Sequence, residues 1–266
     1  MKRQVLLLCQ PLDSLPLDNM WQITERDVAS SSSDLAFERI EADSLSAHGA
    51  VYIVAEQTKG RGRLGRNWTS QKGDGLYLSA IIKPERPVAD WPVLSFAASL
   101  SLYQAVTTLY PELVPELHLK WPNDLVTDTH KLAGILLEAR GQHLVIGCGV
   151  NLKNAPDIEN KGLKAGDLSR TLGGRTVDRL ALAYGFLDAL SVQVASFEAE
   201  GTALIIDRWA KHSKMTGKAV SISTRNTHID GHCEGVDEHG SLRVTDAAGR
   251  HHLITTGDVY IMADER

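Results

Sequence analysis

A basic, glycine-rich segment at residues 59–68, with the sequence KGRGRLGRNW, carries the side chains with the clearest potential for chemistry. Its glycines let the backbone take left-handed conformations, while its arginines and lysine hold fixed positive charges close together. We therefore predict that this loop binds an anion. The alternative is a solvated basic loop without a ligand, because arginine-glycine runs are often only flexible and polar.

Two common nucleotide-binding signatures fit this loop poorly. Gly60, Gly62 and Gly65 match G-x-G-x-x-G, but a dinucleotide fingerprint needs a helix directly afterwards, and residues 66–75 have no apolar helical period. A P-loop is excluded because no Gly-Lys-Ser or Gly-Lys-Thr follows the glycines. The prediction of an anion site therefore depends on the charges of the loop and not on either motif.

A second polar group lies where a predicted strand ends at residues 120–124, with the sequence KWPND. The proline removes a hydrogen-bond donor and ends the regular strand, which leaves Lys120, Asn123 and Asp124 where strands deliver polar groups to a cleft. Lys131 stands at the start of the next predicted strand, residues 131–138. A simple β-turn is the alternative, but it does not account for this second lysine.

Glycines interrupt two predicted strands that are otherwise apolar. Gly134 lies in the first of them, and Gly147 and Gly149 lie in the second, residues 144–152, which also contains Asn151. Glycine inside a strand costs stability, so we expect another group to lie directly against the backbone at these positions.

Trp68 is an aromatic residue in a polar segment. Such a side chain either covers a ligand as a lid or plugs the hydrophobic core, and the second is the commoner arrangement. The sequence alone leaves both open.

Four consecutive serines at residues 30–33 precede the first predicted helix. Ser31 and Asp34 have the spacing of a capping box, and apolar residues follow at helical intervals. The serines are therefore predicted to begin a helix, whose N-terminus offers free N–H groups. From spacing alone, helix capping is a more frequent role for them than ligand binding.

The remaining pattern predicts an α+β fold, with a mixed β-sheet and packed helices followed by a small β-barrel. Buried strands are predicted at residues 5–9, 51–57 and 76–82, and amphipathic helices at residues 93–109, 177–194 and 204–209. Residues 157–174 form a polar connector. Short alternating strands follow at residues 218–223, 229–236, 241–245, 251–255 and 259–262. We expect one domain at residues 1–214 and a second at residues 215–266.

The composition indicates an ordinary globular protein of 266 residues, of which 43% are hydrophobic and 23% charged. Its formal net charge of −5 argues against a general binder of nucleic acids or anionic membranes, because such binding needs a basic surface. No apolar run approaches the roughly 20 residues that span a bilayer. The three cysteines form no C-x-x-C pair, which fits a reducing, cytoplasmic compartment.

The segment HIDGHC at residues 228–233 brings histidines, an aspartate and a cysteine close together along the chain. Alternate side chains of a strand face opposite ways, so these four side chains do not converge on a metal. We predict an exposed hairpin there.

Four segments together resemble motifs of the biotin protein ligases. They are GRGRLGRNW at residues 60–68, KWPND at 120–124, KLAGIL at 131–136 and GCGVN at 147–151, in the order of that family and over nearly the whole chain from about Ser31 onward. The resemblance implies the biotin and lipoate ligase fold, which is like that of class II synthetases, with an SH3-like C-terminal β-barrel.

The resemblance also implies a reaction. Members of that family use ATP and Mg²⁺ to activate biotin as biotinoyl-5'-adenylate, and they transfer it to one lysine of a biotin carboxyl carrier protein, usually that of acetyl-CoA carboxylase. Catalytic roles are implied for Lys131, Asp124 and Arg63, with Asp124 near the metal. Biotin contacts are implied for Ser31, Ser32, Ser33, Gln57, Arg61, Gly62, Arg63, Lys131, Gly134 and Gly147. Nucleotide contacts are implied for Arg66, Trp68, Lys120, Asn123 and Asn151.

Two features depart from the family pattern. The serine motif commonly reads Ser-Thr-Asn, whereas this chain has Ser32 and Ser33 at the last two positions, and a hydroxyl cannot supply the paired donor and acceptor of an amide. The last strand often ends near Ser-Leu-Arg, whereas this chain has YIM at residues 260–262.

Other functions remain open at this point. A lipoate-type protein ligase is the nearest alternative enzyme, and a non-catalytic binder of biotin or adenylate is the alternative outside enzymes. The tryptophan-bearing loop and KWPND favour biotin, while intact Lys131 and Asp124 favour catalysis. About 30 residues precede the serine motif, too few for an independent DNA-binding domain, so we expect a monofunctional ligase. Monomer and homodimer both stay open.

Overall fold

The structure, a computed structural model, describes residues 20–160, 163–224 and 227–262. The predicted first strand at residues 5–9 lies outside these ranges. Within them, the chain forms a large mixed sheet flanked by helices and a second, smaller sheet near its C-terminal end. This architecture confirms the predicted α+β class.

The large sheet carries its strands in the order β1-β2-β3-β7-β6-β5-β4, with the small hairpin β8-β9 attached to β6. Strands β1 and β2 pair in parallel, and the other neighbours along this order are antiparallel. The strands are β1 (Gln22–Ala29), β2 (Ala50–Gln57), β3 (Gly75–Ile82), β4 (His118–Lys120), β5 (Asp124–Val126), β6 (His130–Arg140), β7 (His143–Asn151), β8 (Glu159–Asn160) and β9 (Leu163–Ala165).

Helices cover the large sheet on both faces. They are α1 (Ser32–Ala42), α2 (Leu94–Leu109), α3 (Leu168–Thr171), α4 (Arg179–Glu200) and α5 (Thr202–Ala210). Helices α2, α4 and α5 share one core with Leu78, Ala80 and Ile82 of β3, whereas α1 packs with Ile81 of β3 and Val145 of β7. Because side chains alternate along a strand, the same strands serve two separate apolar layers.

Two helical stretches, Val88–Leu109 and Arg179–Glu200, are long and apolar enough to cross a membrane by length and composition alone. The second of these is α4, and the first contains α2. Both helices pack against each other and contribute to the core on the large sheet. Their apolar character is therefore accounted for by the interior of the folded chain.

The small sheet has five strands in the order β13-β12-β11-β10-β14, and all neighbours are antiparallel. The strands are β10 (Ala219–Ser223), β11 (His228–Val236), β12 (Leu242–Asp246), β13 (His251–Ile254) and β14 (Asp258–Ile261). Each bound lies within one residue of its prediction. The HIDGHC segment is part of β11, where Cys233 is buried and His228 is exposed.

The two sheets are joined by a packed contact. Trp121, from KWPND, donates its indole N–H to the carbonyl of Gly240 at 2.9 Å. Gly240 lies so close to Phe96 of α2 that a Cβ there would stand 2.8 Å from the ring. The small sheet is thus seated on the large one at a defined place. The division at residues 214 and 215 stays a prediction.

The predictions missed several short or polar elements. Strand β1 was not predicted because most of its side chains are polar and exposed, and it is held by parallel pairing with β2. The polar connector at residues 157–174 contains the hairpin β8-β9 and the short helix α3. The predicted helices correspond to α1, α2, α4 and α5, and α4 extends six residues beyond its predicted end, since it reaches Glu200 rather than residue 194.

Candidate active site

One cavity of about 380 Å³ lies between the N-terminus of α1, the adjacent face of the large sheet, the basic loop and strand β14. Each of the residues that the sequence singled out for a site lines this cavity. They are Ser31, Ser32, Ser33, Gln57, Arg61, Gly62, Arg63, Arg66, Trp68, Lys120, Asn123, Asp124, Lys131, Gly134, Gly147 and Asn151. The fold therefore brings together residues that are distributed over 121 positions of sequence, from 31 to 151.

At one end of the cavity, the lining residues Ser32, Ser33 and Gln57 belong to a cluster of buried hydrogen-bonding groups. Gln57, at the end of β2, accepts at Oε1 from the backbone N–H of Ser32 at 2.8 Å. The hydroxyl of Ser79 lies 2.8 Å from that of Ser32 and 3.1 Å from that of Ser33. Ser79 is fully buried behind this lining and does not line the cavity itself. The sequence predictions do not include it, although a lone polar residue in the apolar run of β3 is a usable signal. This end of the cavity is suited to a polar ring.

The N-terminus of α1 also anchors an ion-pair network. Ser31 caps the helix by accepting from the N–H of Asp34 at 3.0 Å, as the capping-box spacing predicted. Arg61 bonds to Asp34 at 2.5 Å and to Glu138 at 3.3 Å. Burial raises the pKa of Asp34, but hydrogen bonds from Ser30 and Arg61 outweigh it and hold the pKa below its usual value. These two ion pairs hold the Arg61 side chain in a fixed position in the cavity wall.

Trp68 lies along the glycine-bearing face of β6 and β7. A Cβ on Gly149 would stand 2.8 Å from the indole, and one on Gly134 would stand 3.4 Å from it. The expected close approach to the backbone is therefore made by this side chain at Gly149, whereas at Gly134 the ammonium of Lys131 is nearer, 3.3 Å from such a Cβ. A Cβ on Gly147 would stand 3.4 Å from the carbonyl oxygen of Leu136 and 3.5 Å from the hydroxyl of Ser33. The core-plug interpretation of Trp68 is wrong, because its ring is half-buried in the cavity wall.

A lysine-carboxylate pair lies beside this tryptophan. The ammonium of Lys131, near the start of β6, is 2.6 Å from Asp124 Oδ1 at the start of β5. It is also 5.9 Å from the centre of the Trp68 ring. Since β5 and β6 are paired antiparallel strands, the sheet itself fixes this geometry. The pair gives the cavity an ammonium held in a defined direction.

The two predicted nucleotide-binding asparagines are already bonded to the backbone. Asn123 donates its amide N–H to the carbonyl of Ile135 on β6. Asn151, at the end of β7, donates to the carbonyl of Gly166 at 3.0 Å. Both are buried, and both line the cavity. Their amide nitrogens therefore hold strand ends in place, and Lys120 lines the cavity beside them.

The basic loop reaches across to the small sheet. Arg63 donates to the hydroxyl of Thr256 at 3.2 Å, and Arg66 forms a two-pronged ion pair with Asp258. Burial lowers the pKa of Arg63, whereas the hydrogen bond and charge of Asp258 raise that of Arg66. Asp258 and its neighbour Gly257 also line the cavity, and the sequence predictions had no signal for either.

The acidic groups of the cavity fit one kind of metal binding. Among the described residues, no three His, Cys, Asp or Glu side chains come together as a metal site. Two carboxylates line the cavity, Asp124, which pairs with Lys131, and Asp258, which pairs with Arg66. Mg²⁺ is commonly held by one or two carboxylates together with substrate phosphates. The donor set therefore fits Mg²⁺ that arrives with a nucleotide, and not a resident metal.

Comparison with known proteins identifies related chains. A model of the Biotin/lipoate A/B protein ligase family matches residues 26–151. A biotin--[acetyl-CoA-carboxylase] ligase of Paracoccus denitrificans is 33% identical over 224 residues, which cover 80% of this chain and 90% of that protein. The chain belongs to the biotin/lipoate A/B protein ligase family. A ligase of the same name from Mycobacterium tuberculosis is 31% identical and is covered to 81% of its length.

Other members of the family extend the comparison. The biotin protein ligase of Aquifex aeolicus, solved in complex with biotin and ATP, superposes with a TM-score of 0.76 at 25% identity, covering 90% of this chain and 99% of that one. The bifunctional ligase/repressor BirA of Escherichia coli is 32% identical over 199 residues, and the match spans 61% of its length. The fold of the family is thus present in this chain.

Proposed function

We propose that this chain is an ATP-dependent biotin protein ligase. In the first step, the carboxylate of biotin attacks the α-phosphorus of ATP, which forms biotinoyl-5'-AMP and releases pyrophosphate. In the second step, the amine of a lysine on a biotin carboxyl carrier protein attacks the acyl carbon and releases AMP. The names of the relatives in Paracoccus and Mycobacterium support acetyl-CoA carboxylase as the source of that carrier.

The observation that carries this proposal is the polarity of the cavity from one end to the other. The hydroxyl-bearing residues Ser32 and Ser33 line one part of it, here called the serine end, and the buried hydroxyl of Ser79 lies behind them. Lys131 and the loop arginines line another part of the cavity. Biotin has a ureido ring that donates and accepts hydrogen bonds, an apolar chain, and a terminal carboxylate. We assign the ring to the serine end and the carboxylate to Lys131, with the chain along Trp68.

The residues of this chain would then act mainly through position and charge. Attack of one anion on another is opposed by repulsion, so cations aimed at the reacting phosphate lower the barrier. Asp124 orients the ammonium of Lys131, and Arg63 and Arg66 lie on the loop at the same cavity. Asp124 would be the protein carboxylate that holds Mg²⁺ brought with ATP, and the ion would supply further neutralisation of the phosphates.

The serine end of the cavity favours biotin over lipoate. The dithiolane ring of lipoate forms no conventional hydrogen bonds, so it would leave the lining groups of Gln57, Ser32 and Ser33 without a ligand partner. A site built to bond a polar ring discriminates strongly against an analogue that lacks those groups. The Lys131–Asp124 pair, in turn, favours a catalytic role over simple binding, because binding of the ring needs neither residue.

The proposal is tested by incubating the purified chain with ATP, Mg²⁺ and a biotin carboxyl carrier domain. We expect covalent biotin on one carrier lysine, detected by mass spectrometry, and biotin-dependent exchange of pyrophosphate into ATP. A parallel reaction with lipoate in place of biotin is the control, and it should give little modified carrier and little exchange of pyrophosphate. Exchange with lipoate and not biotin would show the alternative ligase, and tight biotin binding without exchange would show a binder.

A further inference from the structure

Strand β14 of the small sheet contributes directly to the cavity of the large one. Gly257, Asp258 and Val259 line it, although they lie about 100 residues beyond Asn151 in the sequence. The guanidinium of Arg66 binds both oxygens of Asp258, with one bond of 3.1 Å and a shorter one. A carboxylate fork of this kind fixes the plane of a guanidinium as well as its place.

We infer that Asp258 is a positioning residue, which holds Arg66 in the direction needed to bind the phosphates of ATP. This inference rests on the proposed function. The fork with Asp258 uses two of the five N–H donors that a guanidinium offers, so it leaves donors that can meet a phosphate while the ion pair persists. The nucleotide would then bind an arginine whose side chain is already ordered.

The surroundings of Arg66 explain why it needs such an anchor. Arg63 lies close enough for the two positive charges to affect each other, and the charge of Arg66 helps to lower the pKa of Arg63 after burial. Without Asp258, the two arginines would repel each other on a glycine-rich loop. Glycines at 60, 62 and 65 leave this loop little stiffness of its own.

Asp258 can act as a fixed point because its sheet is seated on the large one. The bond from Trp121 to Gly240 and the packing of Gly240 on Phe96 join the two sheets. A second contact, from Arg63 to Thr256, lies two residues away from Asp258. The loop is therefore held by the small sheet at two neighbouring points rather than by its own backbone.

A competing arrangement makes the opposite prediction. If the carboxylate of Asp258 occupied Arg66 only until ATP arrived, it would compete with the phosphates, and its removal would strengthen ATP binding. The two arrangements are separated by the sign of the change in KM for ATP. We expect a weaker response to ATP, because an arginine without its anchor must be ordered by the nucleotide itself.

The experiment measures biotin-dependent exchange of pyrophosphate into ATP, with ATP and biotin titrated separately. Asp258→Ala should raise KM for ATP about fivefold or more, as expected for loss of a well-formed carboxylate-arginine pair. KM for biotin should change less than about twofold, because the serine end is untouched. Asp258→Glu should restore most of the response to ATP. Asp230→Ala is the matched control, since it removes an exposed carboxylate of the same sheet outside the cavity.

A double variant separates positioning from folding of the small sheet. In an Arg66→Ala background, Asp258→Ala should raise KM for ATP by less than about a further twofold if Asp258 acts through that arginine. The inference would be overturned if Asp258→Ala raised KM for ATP as much in this background as in the wild-type chain. An unchanged or lower KM for ATP in the single variant would overturn it as well. A wild-type chain without biotin-dependent exchange would overturn the proposed function and this inference with it. If the wild type is active, a failed prediction counts only against the role of Asp258 and leaves the proposed function standing.

Discussion

Replacement of Lys131 by alanine removes a cation that the fold holds against Asp124 in the cavity. Its ammonium is 2.6 Å from Asp124, which is only 15% exposed, whereas the lysine itself is 33% exposed. The variant therefore loses a positive charge and also leaves a shielded carboxylate facing an incoming carboxylate and phosphate. Both changes raise the energy of a transition state in which negative charge gathers near this position.

The size of the effect follows from the partial burial of the pair. Two unit charges about 4 Å apart interact by about 4 kcal/mol at an effective dielectric constant near 20, which suits a site that is neither dry nor fully exposed. Loss of one preorganised donor from an active site commonly costs a factor of about 10² to 10³ in rate. We therefore expect adenylate formation by Lys131→Ala to fall by a factor of order 10² or more.

The assay is biotin-dependent exchange of labelled pyrophosphate into ATP, with kcat and KM measured for both substrates. The fall should be larger in kcat than in KM, since the lysine acts on charge that develops during attack. Lys214→Ala is the matched control, because Lys214 forms an exposed ion pair with Asp128 away from the cavity. Exchange within tenfold of wild type, with the fold intact by circular dichroism, would refute the role assigned to Lys131.

Three further predictions concern other parts of the cavity and the fold. Arg63→Gly should still form adenylate but release it sooner than the wild-type chain does. Release is measured as biotin attached to added albumin, and equal attachment with the variant and the wild type would contradict a clamping role. Ser79→Ala should raise KM for biotin roughly tenfold while KM for ATP is unchanged, with Ser101→Ala as the control for a buried hydroxyl elsewhere. Burial lowers the pKa of His143, so the unfolded chain takes up a proton first and stability should fall as pH drops below about 6.5. His143→Asn should reduce the slope of Tm against pH between pH 8 and pH 5. An unchanged slope would show that protonation of His143 is not a cause of this dependence.

Local patterns were enough to predict most elements of this fold. The strands of the small sheet were placed within one residue because they combine a two-residue period with turn residues at their ends. Strand β1 was missed because only its pairing with β2 makes it a strand, and its own side chains are mostly exposed. Elements stabilised by their neighbours rather than by their own pattern are not visible in a window of sequence.

The candidate site shows the same division. The loop, KWPND and the glycine-bearing strands carry enough unusual chemistry to stand out, and their residues line one cavity. Asp258 does not stand out, because an aspartate at the start of a short strand is ordinary, and its partner Arg66 lies 192 residues away. Its place at the cavity depends on how the small sheet packs against the large one, which no local pattern reports.

Position 33 shows how a departure from a motif is changed by its surroundings in three dimensions. A serine there lacks the side-by-side donor and acceptor of the asparagine that the resembling family commonly has. In the fold, however, its hydroxyl lies 3.1 Å from that of Ser79, which comes from a strand 46 residues later. Ser79 is also 2.8 Å from Ser32, so three hydroxyls share one hydrogen-bonded cluster. Neighbouring hydroxyls can together offer the donor and the acceptor that one hydroxyl cannot, because each can donate one bond while accepting others.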